Sequence, residues 1–438
     1  MPVSPRAWWH RAFLERRPSL SLGLFRLAVA WTVACHMLPS FVQMGDNYLS
    51  TAFKEKNFSF FPMFILRLVE VSPDWVVWAF VGLFCASLAA FAAGYYTQRS
   101  TVLMTLACYY FYALNSFHIG TLSFDILLVT LVLLCLTNFH GDFFSLDSVG
   151  RGKDSSYKRL RPCFLLRLLQ LQLALTFFYT GLNKITAGGN WLTGNPYHVL
   201  MNYPAIGVVK DFPARGWLAQ QPEVSYWLGL ACVAFELLLP VALFVPRIRS
   251  AAIAMGIAFM VDLWLTLHVP TIFLFLFPPM LLLFIRPERL VAWIETRQAR
   301  QAEHGRAMLL YDGQCGFCLE SVRRLEVLDL FRWVDPLDFH KQPDVAHLHP
   351  SLTPERCRSE MVLLEPNGRI SGGFDAFRRM SRHAPILWPL VPLLYVPGVP
   401  WMGRRIYAWV AAHRYLLHRS RRCGTNQCAL PTAGNGKS

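Results

Sequence analysis

The sequence predicts a multi-span α-helical membrane domain followed by a small α/β domain. Of 438 residues, 54% are hydrophobic and only 16% charged, against about 25% charged in a typical soluble domain. The apolar residues gather in discrete blocks of membrane-spanning length, about 17–25 residues each. Beyond residue 306 the long blocks stop. Short strand-like and helix-like segments then alternate around Cys315 and Cys318.

In chain order the expected spans are 20–38, 75–96, 101–118, 122–139, 164–182, 224–245, 251–268 and 271–286, about eight helices in all. Pro270, Pro278 and Pro279 interrupt the last two. Basic residues concentrate in alternate connections. Arg6, Arg11, Arg16 and Arg17 precede the first span, and Arg151, Lys153, Lys158, Arg159 and Arg161 lie between the fourth and fifth. Arg247 and Arg249 follow the sixth, and Arg286, Arg289, Arg297 and Arg300 follow the eighth. The positive-inside rule then places both termini on the cytoplasmic side of a plasma or inner membrane. Residues 58–70 are apolar but too short to span, so they read as an interfacial or re-entrant segment. Residues 183–223 read as a structured loop, with Trp191 and Trp217 as interfacial anchors. No small-x-small cleavage site follows the first block, so no cleavable signal peptide is expected. The formal net charge of +15 fits cytoplasmic loops against anionic lipid, which makes the lipid bilayer the expected partner. No nucleic-acid recognition motif accompanies the charge, and no nucleic-acid partner is expected.

The segment 287–306 is charged and expected to be helical. Strand 307–311, helix 316–329, strand 332–339, helix 354–358, strand 361–365, an Asn-Gly turn at 367–368, strand 369–371 and helix 373–382 follow. Residues 385–400 are apolar but hold five prolines, which argues against a ninth span. Residues 401–422 form a basic amphipathic helix suited to the inner leaflet, with Trp401, Tyr407 and Trp409 among Arg404, Arg405, Arg414, Arg419, Arg421 and Arg422. The expected division is 1–290 membrane domain, 291–304 linker, 305–423 α/β domain and 424–438 polar tail.

A redox cysteine needs something that lowers its pKa, because the thiolate is the reactive form. Cys315 falls at the first turn of the helix after strand 307–311, where free N–H groups and the helix dipole favour negative charge. Cys318 lies one turn later on the same face, placed to resolve a mixed disulfide on Cys315. Gly313 and Gly316 give the backbone freedom, and Asp312 is expected to cap the turn or take a proton from the inner thiol. Exchange of this kind requires no cofactor, and its partner is a protein dithiol or disulfide. Of the eleven cysteines, Cys35, Cys85, Cys108, Cys135 and Cys232 lie in apolar blocks as small hydrophobes, with Cys163 at the edge of one. Cys423 and Cys428 are candidate relay thiols. Their spacing is too loose to pair readily with Cys315 and Cys318 around zinc, and His347 and His349 read as loop surface, so no metal is expected. Within the spans, Arg26, His36, Asp125, Glu236, Asp262 and His268 are ionisable residues that either pair across helices or serve a function. Lys184, at the end of the fifth span, could act as a desolvated base. Snorkelling to the interface is the simpler reading.

Tyr311-Asp312-Gly313-x-Cys315-x-x-Cys318, then Val322-Arg323-Arg324-Leu325, and later Tyr407 and His413-Arg414-Tyr415, resemble the DCC family of thiol-disulfide oxidoreductases over about 305–423. That resemblance implies a thioredoxin-like fold, with Cys315 attacking and Cys318 resolving. Glu360 stands where thioredoxins carry a cis-proline. Leu24-Phe25-Arg26-Leu27, Phe144-Ser145-Leu146-Asp147 and Gly181-Leu182-Asn183-Lys184…Trp191-Leu192-x-Gly194 resemble the HTTM domain, the membrane region shared with vitamin K-dependent gamma-carboxylase, over roughly 15–290. This second resemblance implies that Lys184 matches the base that deprotonates vitamin K hydroquinone and that His140, two residues off register, approximates the supporting histidine. The family's histidine after Ala-Phe in a later span is Met260 here. The leading expectation is a membrane protein with a thiol-disulfide oxidoreductase tail, drawing on a cytosolic dithiol partner or a membrane quinone. The alternatives are a quinone-dependent, carboxylase-like or epoxidase-like enzyme using Lys184, and a non-catalytic membrane scaffold.

Overall fold

The computed structural model describes residues 4–49, 69, 72–114, 122–151, 156–186, 191–202, 209–342 and 344–417. The chain divides into two compact units, Met1–Ala292 and Trp293–Ser438.

In the first unit, β1 (Arg16–Pro18) leads into α1 (Leu20–Ser40). There follow α2 (Asp74–Ala93), α3 (Thr97–Leu114) and α4 (Leu122–Cys135). After β2 (Leu160–Pro162) come α5 (Phe164–Thr186), α6 (Pro222–Phe244), α7 (Arg249–Thr266) and α8 (Thr271–Leu282). Five of the described helices, α1, α2, α5, α6 and α7, are long and apolar enough to cross a membrane. The remaining expected spans are helices in the expected places, with differences. Helix α3 opens on the polar turn Thr97-Gln98-Arg99-Ser100. Helix α4 is described over 14 residues and α8 over 12, against about 20 for a crossing. At its far end α8 bends by 82° into α9 (Pro287–Glu303).

Helix α1 is the axis of the bundle, packing on α2 and α8. Its Phe25, Val29, Val33 and Met37 are buried. At its N-terminal end β1 pairs antiparallel with β2, Arg17 opposite Arg161. Buried Asp142 gathers this corner, accepting from Arg161 Nε at 2.7 Å and Nη2 at 3.0 Å and from Ser19 Oγ at 3.2 Å.

The second unit is a four-stranded sheet in the order β4-β3-β5-β6. Its elements are β3 (Ala307–Tyr311), α10 (Gly316–Leu328), β4 (Val334–Asp338), α11 (Pro354–Ser359), β5 (Val362–Leu364), β6 (Ile370–Gly372), α12 (Gly373–Met380) and α13 (Val399–Leu417). Strand β4 runs parallel to β3, and β5 and β6 add antiparallel. This is the strand–helix–strand, hairpin, helix order expected from the pattern, and it has the thioredoxin-like arrangement. Strand β3 is apolar throughout because both its faces are covered. Ala307 and Leu309 meet Val322, Ala376 and Met380 on one side. Met308 and Leu310 meet Phe339, Leu352 and Cys357 on the other. The prolines of 385–400 break that stretch into short turns of helix. The basic helix starts at Val399, two residues before its expected beginning, and is described to Leu417. Cys423, Cys428, Arg419, Arg421, Arg422 and nearly all of 58–70 lie outside the described residues.

Candidate functional site

The parallel pairing of β3 with β4 builds the thiol site. Tyr311 stands opposite Asp338 in the register, so the turn after β3 and the turn after β4 lie side by side at the carboxyl ends of the strands, where α/β sheets commonly place ligands. The Gly313 N–H donates to Asp338 Oδ1 at 3.1 Å. A Cβ on residue 313 would come within 2.2 Å of that carboxylate, so this approach requires glycine. Asp312 is buried. Its Oδ1 accepts from the Gln314 N–H at 3.0 Å and contacts His340 Nε2 at 2.9 Å. The Arg414 guanidinium reaches to 3.9 Å from Oδ2, and it also donates to the Arg358 carbonyl.

Cys315 is the N-cap residue of α10. Its N–H donates to the Asp312 carbonyl at 3.2 Å and its own carbonyl accepts from Leu319 at 3.0 Å. Hydrogen bonding from the Cys318 thiol and from the backbone N–H groups of Cys318 and Phe317 outweighs burial. With Arg414 adding its charge, it brings the Cys315 thiol down to about 6. The same hydrogen bond, together with burial, holds Cys318 protonated well above the ordinary thiol range. Both cysteines are free thiols and both are buried, Cys315 at 1% exposure and Cys318 at 4%. Where thioredoxins carry proline, Glu360 accepts from Arg356 Nε at 3.1 Å, and the following Met361 N–H donates to the Tyr407 hydroxyl at 3.1 Å.

Lys184 turns onto α6. Its ammonium lies 2.6 Å from Glu236 Oε1, 3.5 Å from Cys232 Sγ and 4.9 Å from the centre of the Trp191 ring. Glu236 is 6% exposed, and its Oε2 has no hydrogen-bond partner among the described residues. Gly181 lets α5 close on α6, since a Cβ there would sit 3.0 Å from Leu237 and 3.1 Å from the Glu236 Cβ. His140 is fully buried and shares a hydrogen bond of 2.9 Å with Thr101 Oγ1. The two do not meet. His140 lies beside Asp142, which binds Arg161 just before α5, whereas Lys184 is twenty residues along that helix from Phe164, about 30 Å at the helical rise. The expected support of Lys184 by His140 is therefore absent from this fold.

Residues 15–288 match the model of the HTTM domain, and residues 309–420 match that of DCC1-like thiol-disulfide oxidoreductases. The chain belongs to the HTTM family. It is an HTTM domain joined to a DCC1-like domain, and its apolar helices make it a membrane protein. No curated protein and no solved structure matches the chain.

Within the HTTM domain the motif residues tie helices together. Arg26 of α1 donates to the Phe144 carbonyl. Asp147 accepts from the Tyr96 N–H at 2.9 Å, the Thr97 N–H at 2.8 Å and the Thr97 hydroxyl at 2.7 Å, capping α3. In the DCC1-like domain, sequence reasoning missed His340 and Asp338. Asp338 ends β4 and His340 follows in the next turn, and the signal that could have found them is the parallel register of β3 on β4. Among the described residues no group of three His, Cys, Asp or Glu side chains converges as a metal site.

Proposed function

We infer that the DCC1-like domain performs thiol–disulfide exchange from a membrane anchor, with Cys315 attacking and Cys318 resolving. One observation carries this reading. Cys315 stands at the N-cap of α10 with Cys318 one turn behind it in the same helix, and the neighbouring Cys318 thiol, the nearby backbone N–H groups and the Arg414 charge bring it down to about 6, which favours the thiolate at neutral pH. In the reducing direction the Cys315 thiolate attacks a disulfide sulfur, and that S–S bond breaks as a mixed disulfide forms. Cys318 then loses its proton and attacks Cys315. The intramolecular disulfide forms and the second partner thiol leaves. Asp312, with His340 beyond it at 2.9 Å, supports removal of the Cys318 proton toward solvent. The termini face the cytoplasm in this reading, which puts the pair in a compartment that keeps dithiols reduced.

Full-length protein in lipid nanodiscs should reduce a small aromatic disulfide, and Cys315→Ser should abolish that reaction while Cys318→Ser arrests it at the mixed disulfide. Retention of full activity in Cys315→Ser would defeat the assignment.

A further inference from the structure

We propose that the DCC1-like domain carries a binding site for a lipophilic quinone, which oxidises the Cys315/Cys318 pair. The proposal rests on the exchange chemistry above, run in the oxidising direction: a partner dithiol reduces the Cys315–Cys318 disulfide, and the quinone takes the two electrons and re-forms it. A cavity of about 450 Å³ lies between α10, α12 and α13 over β3, in the size range of small-molecule sites. Its wall is mostly apolar, with Leu309, Leu325, Met361, Phe374, Phe377 and Val410 among the lining residues. Polar groups converge where Cys318, Tyr407 and Arg414 line it. Such a wall suits a molecule with one polar head and a hydrocarbon tail.

Two further observations select the occupant. Both thiols are buried, yet Cys318 lines this cavity, so a small reactant inside it meets the dithiol directly. The rim continues into exposed apolar surface. Phe377 and Ile406 line the cavity and are 39% and 54% exposed. Trp401, Met402 and Trp409 extend the exposed face of α13, and Trp388, Leu390 and Leu393 lie exposed just before it. Arg405 stacks over Trp401 at 4.1 Å. A basic, tryptophan-bearing apolar face of this kind sits in a lipid headgroup layer, so the ligand enters from the bilayer. Arg414, within electrostatic reach of both thiols, offers a cation to the quinone oxygen as it gains negative charge.

In the reaction the Cys315 thiolate and the Cys318 thiol give two electrons to the quinone and form one S–S bond. The Cys318 proton and one proton from water end on the two quinone oxygens, releasing the hydroquinone.

The test uses reduced full-length protein in phosphatidylcholine–phosphatidylglycerol vesicles containing a prenylated benzoquinone, with oxygen excluded. Disulfide formation is read by mass spectrometry, beside oxidation by the small aromatic disulfide. Wild type should be oxidised by both. In Ala411→Trp, which places an indole in the cavity, the ratio of quinone-driven to disulfide-driven rate should fall by about tenfold or more. A photoreactive azidoquinone should label peptides 316–328 and 399–417 of the wild type, a result independent of how the variant folds. Oxidation by the disulfide but not the quinone, or labelling elsewhere, overturns the quinone site and leaves the exchange reading intact. Oxidation by neither defeats both.

Discussion

Arg414 reaches Asp312, the Arg358 carbonyl and the electrostatic surroundings of both thiols from a helix nearly one hundred residues downstream of Cys315. Removing its charge should raise the Cys315 pKa from about 6, because a nearby cation favours the thiolate. The sign follows from the acid: with less thiolate at a given pH, the reactivity profile moves to higher pH. Ultraviolet thiolate absorbance titrated in Arg414→Gln, with Cys315→Ser as the subtraction, should show that upward move. An unchanged midpoint would leave the helix terminus and Cys318 as the whole cause. Asp312 acts on the other thiol. Asp312→Asn keeps an acceptor for Gln314 but loses the anion that can take up a proton. The expected result is accumulation of mixed disulfide, with resolution slowed by about 10²–10⁴-fold, the usual worth of a general base. His340→Gln should give a smaller slowing of the same step. Equal slowing of attack and resolution in Asp312→Asn would instead assign Asp312 to holding the turn alone.

Among the elements, the α5–α6 contact shows what an ionisable residue inside a membrane bundle costs and how it is balanced. Lys184 and Glu236 form a pair at 2.6 Å, with side chains 23% and 8% exposed. Breaking such a pair from one side strands the other charge, at a cost of about 3–5 kcal/mol. Lys184→Met and Glu236→Gln should each lower the thermal midpoint of the protein in nanodiscs. The double variant should recover most of the loss. Additive losses in the double variant would refute the coupling. The pair also bears on the carboxylase-like alternative, since any chemistry at Lys184 would take place beside the Glu236 carboxyl, 2.6 Å away.

The same contact shows how much was legible in the sequence. Apolar block length placed α1, α2 and α5–α7, and the alternation beyond residue 306 gave the succession of strands and helices around Cys315, because both signals are local in the chain. Lys184 with Glu236 and Asp312 with His340 are pairs made by packing and by parallel register. Neither pairing is marked by its neighbours in sequence, so Lys184, Glu236 and Asp312 stand out only as single residues and His340 not at all. Helix α3 opens four residues before its expected start for a local reason that hydropathy averaging hides, the polar turn at Thr97-Gln98-Arg99-Ser100.

For the whole molecule, the arginines that set the orientation argument converge in space. Arg17 lies opposite Arg161 in the β1–β2 pairing, and Asp142 binds Arg161 and Arg159. Arg249 stands within electrostatic reach of Arg17, Arg167, Arg286 and Arg289. These residues come from the entries to α1, α5 and α7 and the exits of α6 and α8, so the bundle presents a strongly basic end. A basic end is retained on the cytoplasmic side, where anionic lipid attracts it and translocation of Lys and Arg is disfavoured. The Cys315 domain follows directly from the exit of α8 at that end, so it should share the cytoplasmic compartment. A fluorescent reporter fused after Ser438 should therefore be bright, and an export-dependent phosphatase fused there inactive. The opposite pair of results would mean an odd number of crossings between the basic end and the tail. It would place the thiols in an oxidising compartment, where disulfides formed in partners persist.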